Sequence, residues 1–124
     1  MYPTSQARSG YDANAVRTER GTEYALFAQI TARLKALDES DRAGFPVLAA
    51  AVTDNQRLWG VLAEDLMSDA NQLPIGLRAQ LVSLAEFVRK HSHAVLRGRG
   101  QVEVLIDINT AIMKGLRGNL ETAA

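Results

Sequence analysis

The sequence predicts an all-α fold, a compact bundle of about four to five amphipathic helices in a single domain over residues 1–124. The first observation is that apolar residues recur every three to four positions along most of the chain, which is the period of an amphipathic helix. The second is that strand signals are almost absent, since the chain holds no Asn-Gly or Asp-Gly hairpin pair. The third is its size and composition: 124 residues, 47 % hydrophobic and 23 % charged, suffice for one core and argue against wholesale disorder.

The first helix is predicted to begin near Thr18 or Thr22 and to end before a connector at residues 38–44. Its apolar residues recur at steps of three and four: Tyr24, Phe27, Ile30, Leu34 and Leu37. Before it, a proline, a glycine and many polar residues dilute the helical pattern. The sequence therefore leaves open whether residues 1–17 are a less ordered arm of the domain.

Prolines mark the next two helix starts, because a proline in the first helical turn loses no hydrogen bond. Pro46 opens the second helix and Pro74 the third. The apolar arc of the second helix consists of Leu48, Val52, Trp59, Leu62 and Leu66.

Asn55 lies in the middle of this arc, and Asn109 lies in the apolar arc of the last helix. We interpret both as buried polar groups that fix helix register, bonded to each other or to loop carbonyls, because an unpaired buried amide costs about 1–3 kcal/mol. Trp59 is interpreted as core, and anchoring a partner is its less favoured alternative.

The third and last helices meet at Gly98-Arg99-Gly100, which predicts a flexible corner. The apolar seam of the third helix consists of Leu77, Leu81, Leu84, Val88 and Val95. Its opposite side carries the basic face, defined by Arg78, Arg89, Lys90 and Arg97. Residues 72–101 hold five basic residues against one acidic residue, although the whole chain has 14 of each sign and a formal net charge of zero. The commoner explanation of such a face is that it is simply the solvent-exposed side of the helix. Contact with RNA or an acidic partner is the alternative.

The last helix, predicted from about Val102 to Leu116 or Leu120, has a wide apolar arc. Val104 and Ile108 widen it on one side, and Ile106 and Met113 widen it on the other. A small domain seldom buries so wide an arc with its own helices alone. The sequence therefore predicts a partner-binding surface at Ile108, Ile112, Met113 and Leu116.

No catalytic, cofactor-binding or metal-ligating residues are predicted. The chain has no cysteine and no P-loop, GxGxxG or GxSxG pattern. His91 and His93 are its only histidines, and on a helix they point about 200° apart, so they cannot share a metal ion.

The longest uncharged run, residues 43–53, contains a proline and is too short to cross a bilayer. The chain does not open with a basic region followed by an apolar stretch, so we expect a cytoplasmic protein without membrane insertion.

Several short motifs follow one another in a fairly specific order. They are Asn55-Gln56-Arg57-Leu58-Trp59, Asp65-Leu66, Asn71-Gln72-Leu73-Pro74, Leu77-Arg78, Ser83-Leu84, Phe87-Val88, Leu105-Ile106-Asp107-Ile108-Asn109 and Ile112-Met113-Lys114-Gly115-Leu116. In this order and spacing the chain resembles the FlaF family of flagellar biosynthesis regulators of alphaproteobacteria. The N-terminal half is more loosely similar, through Ala7, Tyr11 and the segment from Arg20 to Tyr24. The likeness covers most of the chain.

The resemblance implies a cytoplasmic protein needed for flagellin production and filament assembly. It implies association with flagellin, as a secretion chaperone that also promotes flagellin translation, and action alongside FlbT, a post-transcriptional repressor of flagellin synthesis. We therefore expect a non-catalytic protein whose partner is flagellin, with FlbT as a further candidate. One alternative is a regulator that contacts flagellin messenger RNA directly, which zero net charge and the lack of an RNA-binding signature disfavour. Another is an adaptor that binds only FlbT. The sequence leaves open which part of flagellin is bound and whether the protein dimerises.

Overall fold

A computed structural model of the protein describes residues 13–38 and 44–123, with side chains described for residues 23–37 and 44–115. These residues form four α-helices, numbered here in chain order: α1 (Ala13–Asp38), α2 (Phe45–Leu66), α3 (Ile75–Leu96) and α4 (Val102–Ala123). The two described ranges contain no strand, and the predicted all-α bundle is confirmed. Within the same ranges, no helix combines the length and the apolar character that crossing a membrane requires.

α1 begins at Ala13, ahead of the predicted start near Thr18 or Thr22. The helix runs through Gly21 because a single internal glycine costs only about 1 kcal/mol relative to alanine. Of the segment predicted as a candidate arm, residues 13–17 are therefore helical, and residues 1–12 lie outside the described part of the chain. At the other end of the chain, α4 extends past the predicted limit to Ala123.

The helix starts follow the prolines as predicted. Pro46 is the second residue of α2, and the carbonyl of Gly44 accepts the first helical hydrogen bonds of that helix. Pro74 directly precedes α3, where its extended backbone supplies the capping carbonyl that accepts the N–H of Arg78 at 2.9 Å. Neither proline removes a hydrogen bond that its helix would otherwise form.

The corner between α3 and α4 is a glycine-dependent helix end. Gly98 has a φ of +76°, a left-handed conformation that other residues rarely adopt. Its N–H donates to the carbonyl of Val95, and the N–H of Arg99 donates to the carbonyl of Ala94 at 2.8 Å. These two bonds are the Schellman pattern that satisfies the last carbonyls of a helix. The predicted corner is therefore hydrogen-bonded, with its geometry set by Gly98.

The four helices pack in pairs around one core. α1 packs most extensively against α4, α2 packs against α3 and α1, and α3 touches α4 only sparsely. α1 and α2 are antiparallel, because Phe27 meets Trp59 near one end and Arg33 meets Asp54 further along. The buried core consists of Phe27, Leu34, Ala51, Val52, Trp59, Ala85, Val88, Val95, Leu105 and Ile106. Most of these are apolar positions that the helical period selects from sequence.

The left-handed backbone of Gly98 predicts an opposite response from two glycine-to-alanine variants. Gly98→Ala should lower the free energy of unfolding by about 1–2 kcal/mol, because a Cβ is strained at positive φ. Gly60→Ala should raise it by about 0.5–1 kcal/mol, because Gly60 lies inside α2 with open space around its Cα. Urea unfolding followed by circular dichroism measures both. A neutral or stabilising Gly98→Ala would contradict the assigned corner.

Candidate functional site

The centre of the bundle holds a polar cluster, here called the amide cluster, made of Thr31, Asn55, Trp59 and Asn109. The side-chain oxygen of Asn109 accepts a hydrogen bond from Trp59 Nε1 at 2.9 Å. Its side-chain nitrogen donates to Asn55 Oδ1 at 2.8 Å and to Thr31 Oγ1 at 3.1 Å. One side chain of α4 thus binds residues of α1 and α2 together.

The amide cluster is sealed from water. Asn55 and Asn109 have no exposed surface, and Thr31 and Trp59 are each 2 % exposed. The indole of Trp59 also packs edge-on against Phe27, with ring centroids 5.7 Å apart. None of these side chains can reach a partner in this conformation, so the cluster holds the fold together and does not form a binding surface. Trp59 is a core residue, as predicted.

Of the two predicted alternatives, bonding to each other or to loop carbonyls, the structure shows the first: Asn55 and Asn109 bond to each other inside the core, across a separation of 54 residues. The sequence analysis missed Thr31 and the use of the Trp59 indole as a donor. A signal for Thr31 was present, because it follows Phe27 by four residues and precedes Leu34 by three, on the apolar stripe of α1. A threonine at such a position needs a partner as much as an asparagine does.

The predicted partner-binding surface on α4 lies at the edge of the core. Ile108, Ile112 and Met113 are half-buried and pack against the core cluster, so each keeps only part of its side chain for contact with another molecule. The side chain of Leu116 lies outside the described residues. The binding role of these residues stays a prediction. Their position implies that charged substitutions would disturb the core as well as the surface.

The basic face is less available than its sequence pattern indicates. Arg78 is half-buried, and its guanidinium donates to the carbonyls of Leu66 at 2.9 Å and Ser68 at 3.2 Å, so it caps the end of α2. Its expected place on a solvated contact face is therefore wrong. The remaining members are exposed: Arg89 and Lys90 on α3, and Arg97 directly after its last residue.

Glu86 lies close to two of these remaining basic residues and offsets one positive charge. Arg89 binds the carboxylate of Glu86 through two hydrogen bonds, the shorter at 2.6 Å, and Lys90 Nζ lies 4.0 Å from it. The hydrogen bonds from Arg89 lower the pKa of Glu86 below its ordinary value, and the same pair raises the pKa of Arg89. Since the carboxylate is favoured as the ion, the pair persists at neutral pH and is lost only as the pH falls through the lowered pKa of Glu86. Each charge is exposed, so the pair neutralises the surface more than it stabilises the fold.

The two histidines lie in different environments. His91 is half-buried, stacks on Phe87 with ring centroids 5.6 Å apart, and places Nε2 2.9 Å from the carbonyl of Gln101. It thereby joins the end of α3 to the start of α4. His93 is exposed. Among the described residues, no three potential ligands come together in a metal-binding group.

Several large apolar side chains lie on the surface, and the sequence did not predict their exposure; one of them, Leu77, was predicted to lie in the apolar seam of α3. The exposed ones are Leu26, Phe45, Val47, Val61, Met67, Ile75, Leu77 and Phe87. Met67, Ile75 and Leu77 flank the turn between α2 and α3. The sequence signal for them was weak, because leucine, isoleucine and methionine at helix ends satisfy the same period as core residues. Apolar side chains grouped on a surface are typical of protein–protein contacts.

The fold and these surfaces define a small all-α bundle with a closed polar centre and apolar side chains at its edges. The family model described as flagellar protein FlaF matches residues 7–116. The chain therefore belongs to the FlaF family of flagellar proteins, which confirms the resemblance found in the sequence. Comparison with curated proteins and with solved structures gave no match.

The amide cluster predicts a graded loss of stability in two asparagine variants. Asn109→Ala should lower the free energy of unfolding by about 3 kcal/mol or more, because it leaves Trp59 Nε1 without its acceptor and creates a cavity. Asn55→Ala should lower the free energy of unfolding by less. It removes one hydrogen bond from Asn109, but it also removes the side-chain nitrogen of Asn55, a buried donor that has no hydrogen-bond partner within the described residues. Chemical unfolding followed by far-ultraviolet circular dichroism gives both values. Equal costs would argue against Asn109 as the centre of the cluster.

Proposed function

We propose that this protein is a cytoplasmic, non-catalytic chaperone that binds flagellin before export and promotes flagellin synthesis and filament assembly. Membership of the FlaF family supports a role in the flagellum. The observation that carries the binding role is the apolar edge of α4, where Ile108, Ile112 and Met113 remain partly open to solvent. An export chaperone must shield aggregation-prone apolar segments of its client, and a helix lying in an apolar groove is a common way to do so.

The packing of α4 supports the same proposal. α4 packs extensively against α1, whereas its contact with α3 is sparse. Buried Leu105 and Ile106 hold its first turns in the core, and the half-buried positions follow further along the helix. A client helix could therefore pack on α4 without displacing the amide cluster, which stays closed behind Asn109.

The proposal is tested by mixing the purified protein with purified monomeric flagellin and measuring the mass of the complex by size-exclusion chromatography with light scattering. We expect a complex of defined stoichiometry that survives raised salt, because apolar contacts are not screened by ions. Ile108→Thr and Met113→Gln should weaken it by about tenfold each, a loss typical of an interface contact residue. Val61→Ser is the matched control, since Val61 is exposed on α2 away from this surface.

Circular dichroism of each variant separates binding from folding. Folded variants that no longer bind flagellin would support the proposal. If both variants unfold, the α4 edge is core, and the client site must be sought elsewhere. If the wild-type protein forms no complex with flagellin, the chaperone function itself is rejected.

Direct contact with flagellin messenger RNA is the second candidate, and binding only to FlbT is the third. Arg78 is occupied at the end of α2, and Glu86 pairs with Arg89, which leaves little of the positive charge that RNA binding would use. If RNA were the partner, Glu86→Gln should tighten binding of a flagellin leader transcript and Arg97→Gln should weaken it, in a gel-shift assay at low and physiological salt. We expect no binding at physiological salt. Binding of FlbT without flagellin would favour the adaptor.

A further inference from the structure

The turn between α2 and α3 exposes a group of apolar side chains, which with its acidic neighbours is here called the acidic corner (residues 64–77). Met67, at the end of α2, is 63 % exposed, and Ile75, the first residue of α3, is 80 % exposed. Leu77, two residues further on and therefore about 200° around the helix, is 42 % exposed. The side chain of Arg78 reaches the carbonyls on both sides of Met67, those of Leu66 and Ser68. The first turn of α3 therefore lies against the end of α2, and the exposed apolar side chains share one end of the bundle.

Side-chain hydrogen bonds fix the shape of the acidic corner. Ser68 Oγ accepts from the N–H of Ala70 at 3.1 Å, and Asn71 Oδ1 accepts from the N–H of Leu73 at 3.0 Å. Asn71 Nδ2 also donates to Asp65 at 3.0 Å. A turn held at several points presents its apolar side chains in one arrangement. A partner that docks there does not have to order the loop, which makes binding more favourable.

The charge around these side chains has one sign. Residues 64–77 contain Glu64, Asp65 and Asp69 and no Lys, Arg or His. All three carboxylate residues are exposed. Arg78, which follows, directs its guanidinium to the backbone of α2. The acidic corner therefore exposes apolar side chains together with three carboxylates, which we call its negative rim.

We infer that the acidic corner docks an amphipathic helix of another protein whose apolar face is bordered by Lys or Arg. The described residues offer no strand edge for an extended peptide to join, whereas a helix satisfies its own backbone and presents only side chains. The negative rim selects a basic partner, because like charges facing each other oppose binding. For the same reason a second copy of this chain is disfavoured, since a symmetric pair would bring its carboxylates together. This site belongs to α2 and α3 and does not depend on the flagellin-binding role proposed for α4.

The probe is a fluorescently labelled peptide of about 14 residues, or roughly four helical turns, made of leucine and lysine in an amphipathic pattern. A matched peptide carries glutamate in place of every lysine. Fluorescence anisotropy with the full-length protein should show that the lysine peptide binds at least about tenfold more tightly than the glutamate peptide. Binding should also weaken as salt is raised, because the rim charges are exposed.

Variants locate the site. Ile75→Ser and Met67→Ser should each weaken binding of the lysine peptide several-fold, and both proteins should stay folded because these side chains are exposed. Val61→Ser removes an apolar side chain that is 66 % exposed on α2 outside the acidic corner, and Met113→Gln changes the α4 edge. Neither should alter binding. A double change, Glu64→Gln with Asp69→Asn, should reduce the salt dependence.

Three results would overturn the inference. The first is failure of the wild-type protein to bind the lysine peptide. The second is equal binding of the two peptides or an equal loss in Val61→Ser, either of which would mean unspecific apolar adhesion, or an equal loss in Met113→Gln, which would place the peptide on the α4 edge. The third is a dimer of the protein alone, detected by light scattering, that Ile75→Ser dissociates. That result would assign the acidic corner to a second copy of the chain.

Discussion

The side-chain amide of Asn109 is the interaction on which the rest of this bundle depends. Apolar contacts between helices are non-directional, so a helix could slide or rotate along its neighbours at small cost. The amide of Asn109 removes that freedom, because its bonds to Thr31, Asn55 and Trp59 exist in only one alignment of α1, α2 and α4. In a dry interior such bonds are costly to break, since no water replaces them. The cluster therefore determines which apolar side chains become core and which remain at the edge.

α3 has no member of the amide cluster; it packs against α2, contributes Val88 and Val95 to the core, and is further fixed at its two ends. At one end Arg78 binds the last carbonyls of α2, and at the other His91 and Gly98 set the corner that leads into α4. At both ends the hydrogen-bond acceptors are backbone carbonyls, so few side chains are needed to fix the position of each end. The contact between α3 and α4 is sparse, and the apolar edge of α4 is partly open to solvent.

In this FlaF-family protein the polar groups that hold the fold are different residues from those proposed to bind partners. The polar groups are sealed in the centre, whereas the apolar surfaces proposed for partners lie on α4 and at the acidic corner. The two surfaces differ in character, because one adjoins the core and the other is rimmed by carboxylates. The basic face carries less free positive charge than its sequence pattern indicates. Glu86 pairs with Arg89, and Arg78 binds the end of α2, so two of its four members are occupied.

The sequence by itself determined the helices, their proline starts and most of the core, because the spacing of apolar residues along a helix is a local property of the chain. It also determined that Asn55 and Asn109 are buried and paired, because leaving a buried amide unpaired is costly in any fold. It could not determine which helices become neighbours, since that depends on contacts between residues far apart in the chain. Only the tertiary structure therefore decided that Thr31 completes the amide cluster and that Arg78 caps α2. It also decided that Met67 and Ile75 face solvent. These residues are as apolar as core residues, so only the packing of neighbouring helices distinguishes the two groups.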